Sequence, residues 1–144
     1  MTWIKIRIDT ILKEGYPSYT TAAGWLGYSD EKIVKLCKKY ISMGWKHFKV
    51  KVGLNLEADV KRLELIRKTI GDDCHIMVDA NQQWSVEQSI KHINAYKKFN
   101  LLFVEEPTSP DDVYGHKKIK QAVKPIKVAT GEMCQNRILF KQFI

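Results

Sequence analysis

Cysteine is scarce here: Cys37, Cys74 and Cys134 are an odd number with no CxxC spacing. That excludes a disulfide framework and leaves no zinc signature, so the three are read as reduced thiols in or near the core. Long apolar runs are missing as well. None approaches the roughly 18 residues of a membrane span, and Met1-Thr2-Trp3-Ile4-Lys5 lacks the basic-then-apolar layout of a secretory signal. With only four prolines and eight glycines in 144 residues, 44% of them hydrophobic and 28% charged, disordered and collagen-like chains are excluded. A soluble intracellular domain, or a piece of a larger one, is expected. No G-x-G-x-x-G or G-x-x-x-x-G-K-[ST] follows any candidate strand, which disfavours a nucleotide-binding open sheet.

Acidic residues are the minority: 16 Asp and Glu face 24 Lys and Arg, a net charge of +8. Such an excess invites a nucleic-acid reading. The cations are mostly lysine, spread over every helical segment and mixed with Glu and Asp, whereas nucleic-acid binders concentrate arginine and aromatics on one face. A solvated, lysine-rich surface is expected instead, with neither nucleic acid nor membrane as partner.

What the chain does have is alternation. Short β-rich runs, Ser18–Ala22, Phe48–Val52, His75–Asn81, Leu101–Pro107 and Ile126–Glu132, are separated by stretches with helical periodicity. Ser29 opens a helix with Ile33, Cys37, Tyr40 and Ile41 at helical spacing, ending at Gly44. Asn55 opens a second, striped by Leu56, Val60, Leu63, Ile66 and Ile70 and ended by Gly71. Ser85-Val86-Glu87-Gln88 fits a capping box for a third. A weaker helix follows Asp112, Pro125 breaks it, and Asn136 to Ile144 reads as another. Strict β/α alternation with apolar strands predicts a parallel sheet covered by helices. Length favours an open doubly wound sheet, because an eight-unit barrel needs about 250 residues and only four to five units are present.

The charges inside the strands pull the other way. Alternate strand residues share a face, so Lys49 and Lys51 point together while Phe48, Val50 and Val52 face the helices. Asp79 and Asn81 pair likewise in the next strand, and Glu105 and Glu132 end the two after it. From Lys51 to Asp79, Glu105 and Glu132 the steps are 28, 26 and 27 residues, one βα unit each. Parallel strands bring their carboxyl ends together, where such sheets place ligands. Three converging carboxylates repel one another and resist desolvation, so a hard divalent cation, Mg²⁺, is their expected partner. Two lysines beside each other and a dication have their ammonium forms disfavoured, which predicts lowered pKa values and makes Lys51 the candidate general base, with Lys49 in support.

Lys49-Val50-Lys51, Val78-Asp79-Ala80-Asn81, Val104-Glu105-Glu106-Pro107 and Thr130-Gly131-Glu132, in this order and spacing, resemble the enolase superfamily and, within it, the mandelate racemase group. Gly15-Tyr16-Pro17-Ser18-Tyr19-Thr20-Thr21, Gly24-Trp25-Leu26-Gly27-Tyr28-Ser29-Asp30 and Glu105-Glu106-Pro107-Thr108-Ser109-Pro110-Asp111-Asp112 are most like the L-fuconate dehydratases and the related vertebrate mitochondrial proteins. The resemblance runs from about Ile11 to the C-terminus. It implies the N-terminal part of a (β/α) barrel over residues 15–144, about its first five strands, after a short segment 1–14 of unassigned structure, with neither capping domain nor last strands.

The same resemblance implies Asp79, Glu105 and Glu132 as Mg²⁺ ligands and Lys51 as the base that removes the proton α to a substrate carboxylate. Enediolate formation stabilised by the metal, then loss of the β-hydroxyl, turns a sugar acid such as L-fuconate into a 2-keto-3-deoxy acid. Lys49, Asn81 and Trp25 are implied as supporting or substrate-contacting groups, and a mitochondrial or cytoplasmic location follows. The family's Asp and His on the opposite face have no counterpart. His47, His75, His92 and His116 are expected to be structural or surface residues, and the chain by itself is expected to bind metal without completing dehydration. The alternative is a non-catalytic interaction protein, in which unpaired strand edges and an uncovered apolar face drive self-association.

Overall fold

A computed structural model describes residues 3–16 and 18–144. Met1 and Thr2, and Pro17 of the Gly15–Thr21 motif, lie outside them. The elements run α1 (Trp3–Glu14), α2 (Asp30–Ser42), β1 (His47–Lys51), α3 (Leu56–Ile70), β2 (His75–Asp79), α4 (Val86–Tyr96) with a 3₁₀ turn over Lys97–Phe99, β3 (Leu101–Glu105), α5 (Val113–Ala122), β4 (Lys127–Ala129) and α6 (Arg137–Phe143).

Helices α2 to α6 begin where their caps say they must. The Ser29 hydroxyl accepts from Lys32 N–H, Asn55 from Ala58 N–H, Asp112 from Gly115 N–H and Asn136 from the Ile138 and Leu139 N–H groups. The capping box at Ser85 is complete: Gln88 N–H donates to Ser85 Oγ at 3.2 Å, and Ser85 N–H donates to Gln88 Oε1 at 3.0 Å.

All strand pairings are parallel and in sequential order, β1-β2-β3-β4. A doubly wound sheet would reverse its order at a switch point. This one does not, and the architecture is that of part of a (β/α) barrel. Phe48 and Val50, Ile76 and Val78, and Val104 point into the helix layer, where Ile33 and Cys37 of α2, Leu63 and Ile66 of α3, Ile93 and Tyr96 of α4, and Ile119 of α5 bury against them. Removing an aliphatic side chain from such a layer costs about 2–5 kcal/mol.

The expected strands His75–Asn81 and Leu101–Pro107 each end two residues early, at Asp79 and Glu105, and two others shrink further. Ser18–Ala22 contributes a single parallel bridge, Thr20 to Phe48, with Thr20 N–H donating to the His47 carbonyl at 2.9 Å. There the Thr20 hydroxyl accepts Ala22 N–H at 3.2 Å and bends the chain out of the sheet. Gly24 nevertheless stays pressed on β1, where a Cβ would collide with the Lys49 carbonyl and Val50 Cα. Ile126–Glu132 pairs only over Lys127–Ala129, before Gly131 (φ 140°) turns the backbone away. The unassigned N-terminal segment forms α1, none of whose residues is buried.

The cysteine expectation holds: Cys37 and Cys74 are buried, Cys134 is half-buried, and all three are free thiols. No described helix is long and apolar enough to cross a membrane.

Candidate active site

Register puts the site together. Lys51 lies opposite Asp79, Asp79 opposite Glu105, and Glu105 opposite Ala129. Three adjacent strands therefore end in an ionisable residue on one row.

The ammonium of Lys51 donates to Asp79 Oδ2 and to Asn81 Oδ1, both at 2.7 Å. That of Lys49 donates to Glu105 Oε2 at 2.7 Å and lies 3.3 Å from the same Asp79 Oδ2. Asn81 N–H closes the set by donating to Asp79 Oδ1 at 3.0 Å. These groups are largely withdrawn from water: side-chain exposure is 2% for Asp79, 8% for Lys49, 17% for Glu105 and 19% for Lys51. Charges so placed interact strongly.

Aromatic rings wall the lysines. The Tyr19 ring lies 4.8 Å from Lys49 Nζ and the Trp25 ring 5.7 Å from Lys51 Nζ, within cation–π range. Arg62 of α3 donates to the Trp25 carbonyl and fixes that loop over the strand ends.

The expected lowering of the lysine pKa values is corrected at Lys49. Burial does disfavour its charge, but Glu105 and the Tyr19 and Asp79 oxygens outweigh burial and hold the ammonium well above the ordinary lysine range. The physical reason is that the carboxylates face the ammonium directly, whereas the expected direction needs a cation to take up their charge.

Glu132 stands apart. It lies three residues past β4 and is exposed, because Ala129 occupies the register position that the even spacing assigned to it. Among the described residues no three His, Cys, Asp or Glu side chains are assembled as a ready metal cluster. Asp79 and Glu105 spend oxygens on ammonium groups instead. Both carboxylates nevertheless converge on one positive charge, at strand ends, in a nearly dry setting, and carboxylate oxygens are the donors that hard cations take.

Sequence reasoning missed Tyr19 and Glu106. Glu106 is 1% exposed, at φ 47°, with Oε1 accepting from Gln82 Nε2 at 3.0 Å. Its carboxyl is pushed above the usual range by burial, against the Gln82 hydrogen bond, and further by the charges of Glu132, Asp79 and Glu105. The doubled acid in Glu105-Glu106-Pro107 was the available signal, but strand parity gave the inward place to Glu105 alone.

The four histidines lie elsewhere, as expected. His47 and His75 stack at 4.7 Å at the opposite strand ends, His92 meets the Trp84 edge, and His116 meets Phe143.

Residues 32–144 match the family of enolase C-terminal domain-like proteins. The chain belongs to this family. The crystal structure of human mitochondrial enolase superfamily member 1 superposes with a TM-score of 0.92 at 47% identity, over 96% of this chain and 32% of that one. L-galactonate dehydratase of Hypocrea jecorina is 50% identical over 143 residues, 96% of this chain and 32% of its own length. A crystal structure of L-talarate/galactarate dehydratase from Salmonella typhimurium LT2, liganded with Mg and L-lyxarohydroxamate, superposes at a TM-score of 0.82 and 34% identity, over 87% of this chain and 32% of that one. This enolase-type chain thus spans about a third of the length of the relatives it matches.

Proposed function

We propose that the chain carries the cation-binding and proton-abstracting face of a Mg²⁺-dependent acid-sugar dehydratase. The observation that carries this reading is the row of Lys51, Asp79 and Glu105 at the ends of three neighbouring parallel strands, with Lys49 joined to both carboxylates. Mg²⁺ sites in dehydratases of similar fold support it.

Asp79, Glu105 and Glu132 are the ligands in this reading, Glu132 being drawn in from its exposed turn. Mg²⁺ held there supplies charge neutralisation for a substrate carboxylate whose α-proton is leaving. Lys51, as its neutral amine, would take that proton and become the ammonium, and its Nζ already sits at the strand end where a carboxylate substrate would approach. An Asp79 oxygen given to the cation would no longer pair with Lys51. Lys49 keeps a positive charge beside the substrate, Asn81 offers its amide, and the half-exposed Trp25 ring offers an apolar face to a sugar acid. L-fuconate is the proposed substrate, with L-galactonate and galactarate as comparators, and the proposed location is mitochondrial.

Proton abstraction needs no base besides Lys51, whereas expulsion of the hydroxyl needs an acid that none of the four histidines is placed to supply. The full chain in D₂O with Mg²⁺ is therefore expected to exchange the α-proton of L-fuconate, followed by proton NMR, without forming a 2-keto-3-deoxy acid. Failure of all three sugar acids to exchange would defeat the reading.

A second reading, a self-associating interaction module, draws on α1: Ile4, Ile8, Ile11 and Leu12 recur at helical spacing and all are exposed.

A further inference from the structure

Glu106 is buried with one carboxylate oxygen unpaired. Its Oε2 has no hydrogen-bond partner among the described residues, although the residue is 1% exposed. Lys49 and Lys51 are committed to Asp79, Asn81 and Glu105, so neither neutralises it.

Looseness does not explain the free oxygen, because Glu106 is pinned on three sides. Oε1 accepts from Gln82 Nε2 at 3.0 Å, its carbonyl accepts Gln82 N–H at 2.8 Å, and its N–H donates to the Ala129 carbonyl at 2.9 Å. The backbone holding it is strained too. Asn81, Gln82 and Glu106 all take left-handed conformations, with φ of 46°, 64° and 47°, which side-chain-bearing residues rarely adopt and which gather at functional sites. Three such residues, locked to one another at the ends of β2 and β3, present one carboxylate oxygen without a donor. A buried acceptor left in that state costs stability unless a donor or a cation meets it. Glu106 directly follows Glu105, and its partner Gln82 directly follows Asn81, which donates its N–H to Asp79 and accepts from Lys51, so the free oxygen belongs to the same strand-end cluster.

We propose that Glu106 is a fourth carboxylate of the cation site, giving Oε2 to a hard divalent cation or to its water shell while Gln82 holds Oε1. This rests on the reading of Asp79, Glu105 and Glu132 as ligands. It predicts that binding depends on the Glu106 charge as it depends on residues that support metal ligands, by about 10–100-fold in affinity.

The test is a Mn²⁺ titration of the full chain, with free Mn²⁺ read by electron paramagnetic resonance and folding checked by circular dichroism. Glu106→Gln, which keeps the shape and the Gln82 contact but removes the charge, is expected to weaken Mn²⁺ binding at least tenfold, and Asp79→Asn to weaken it as much or more. Mn²⁺ binding lost in Asp79→Asn yet unchanged in Glu106→Gln overturns the proposal while sparing the proposed function. Absence of Mn²⁺ uptake by the unaltered chain overturns both. Should Glu106→Gln not fold, Glu106→Asp, which keeps the charge but withdraws the oxygen by one methylene, is measured in its place. A loss of at least tenfold is again expected, and unchanged affinity again overturns the proposal.

Discussion

Lys49 and Lys51 share a single oxygen, Oδ2 of Asp79, and that sharing sets how each substitution will read out. Removing Lys49 leaves Glu105 and the nearly dry Asp79 short of positive charge, and breaking a buried pair from one side is costly. Lys49→Met is expected to destabilise the metal-free chain by about 2–4 kcal/mol in urea denaturation. Lys51→Met is expected to cut α-proton exchange by about 10²–10⁴-fold, the usual contribution of a positioned base, and NMR exchange rates check it. Cys37 offers a pH test. Burial, with help from Cys74, pushes its thiol from 9.0 up to about 11. The folded state then holds a proton that the unfolded chain gives up first, so the stabilisation is complete below about pH 9 and is lost as pH rises towards 11. A melting temperature that falls over this window, and falls less steeply in Cys37→Ala, is the expected result.

Helices and turns are held at two polar nodes, one buried and one half-buried. Asp59, 1% exposed in the first turn of α3, accepts from Gly53 N–H at 2.9 Å and from the Tyr96 hydroxyl at 3.0 Å, so one carboxylate ties α3 and α4 to the turn just beyond Lys51. At the far end Arg67 donates to the Phe99, Gly71 and Cys74 carbonyls, joining α3 to the starts of β2 and β3. Substituting either by alanine strands several partners at once. Asp59→Ala and Arg67→Ala are each expected to cost about 2–4 kcal/mol by urea midpoint, with Asp59→Ala also loosening the strand end that carries the lysines. Neither node showed in the apolar stripe of α3, since Asp59 and Arg67 look like ordinary surface charges of an amphipathic helix.

At the scale of the whole molecule, apolar side chains gather on the outside of two helices: α1 buries no residue, and Ile138 and Phe140 of α6 are exposed. Self-association through α1 is the expected consequence. Sedimentation velocity should show a concentration-dependent shift that Ile4→Glu combined with Leu12→Glu removes, and a clean monomer at all concentrations would count against it.

Periodicity determined which apolar side chains face the core. The caps Ser29, Asn55 and Ser85 were readable because helix starts are local chemistry, and the parallel sheet was readable because apolar strands alternating with helices have few other ways to bury themselves. The Lys49-x-Lys51 pair and Asp79 were legible for the same reason, two-residue strand parity. Sequential strand order, which separates barrel from open sheet, belongs to the tertiary structure, as does the fate of Glu132. Even spacing along the chain suggested a strand-end carboxylate, but register is set by backbone pairing, and pairing ended at Ala129. Glu106 was decided there too. Its burial depends on a backbone kink locked by Gln82, a partner 24 residues away, and contacts of that range exist only once the strands have been brought side by side.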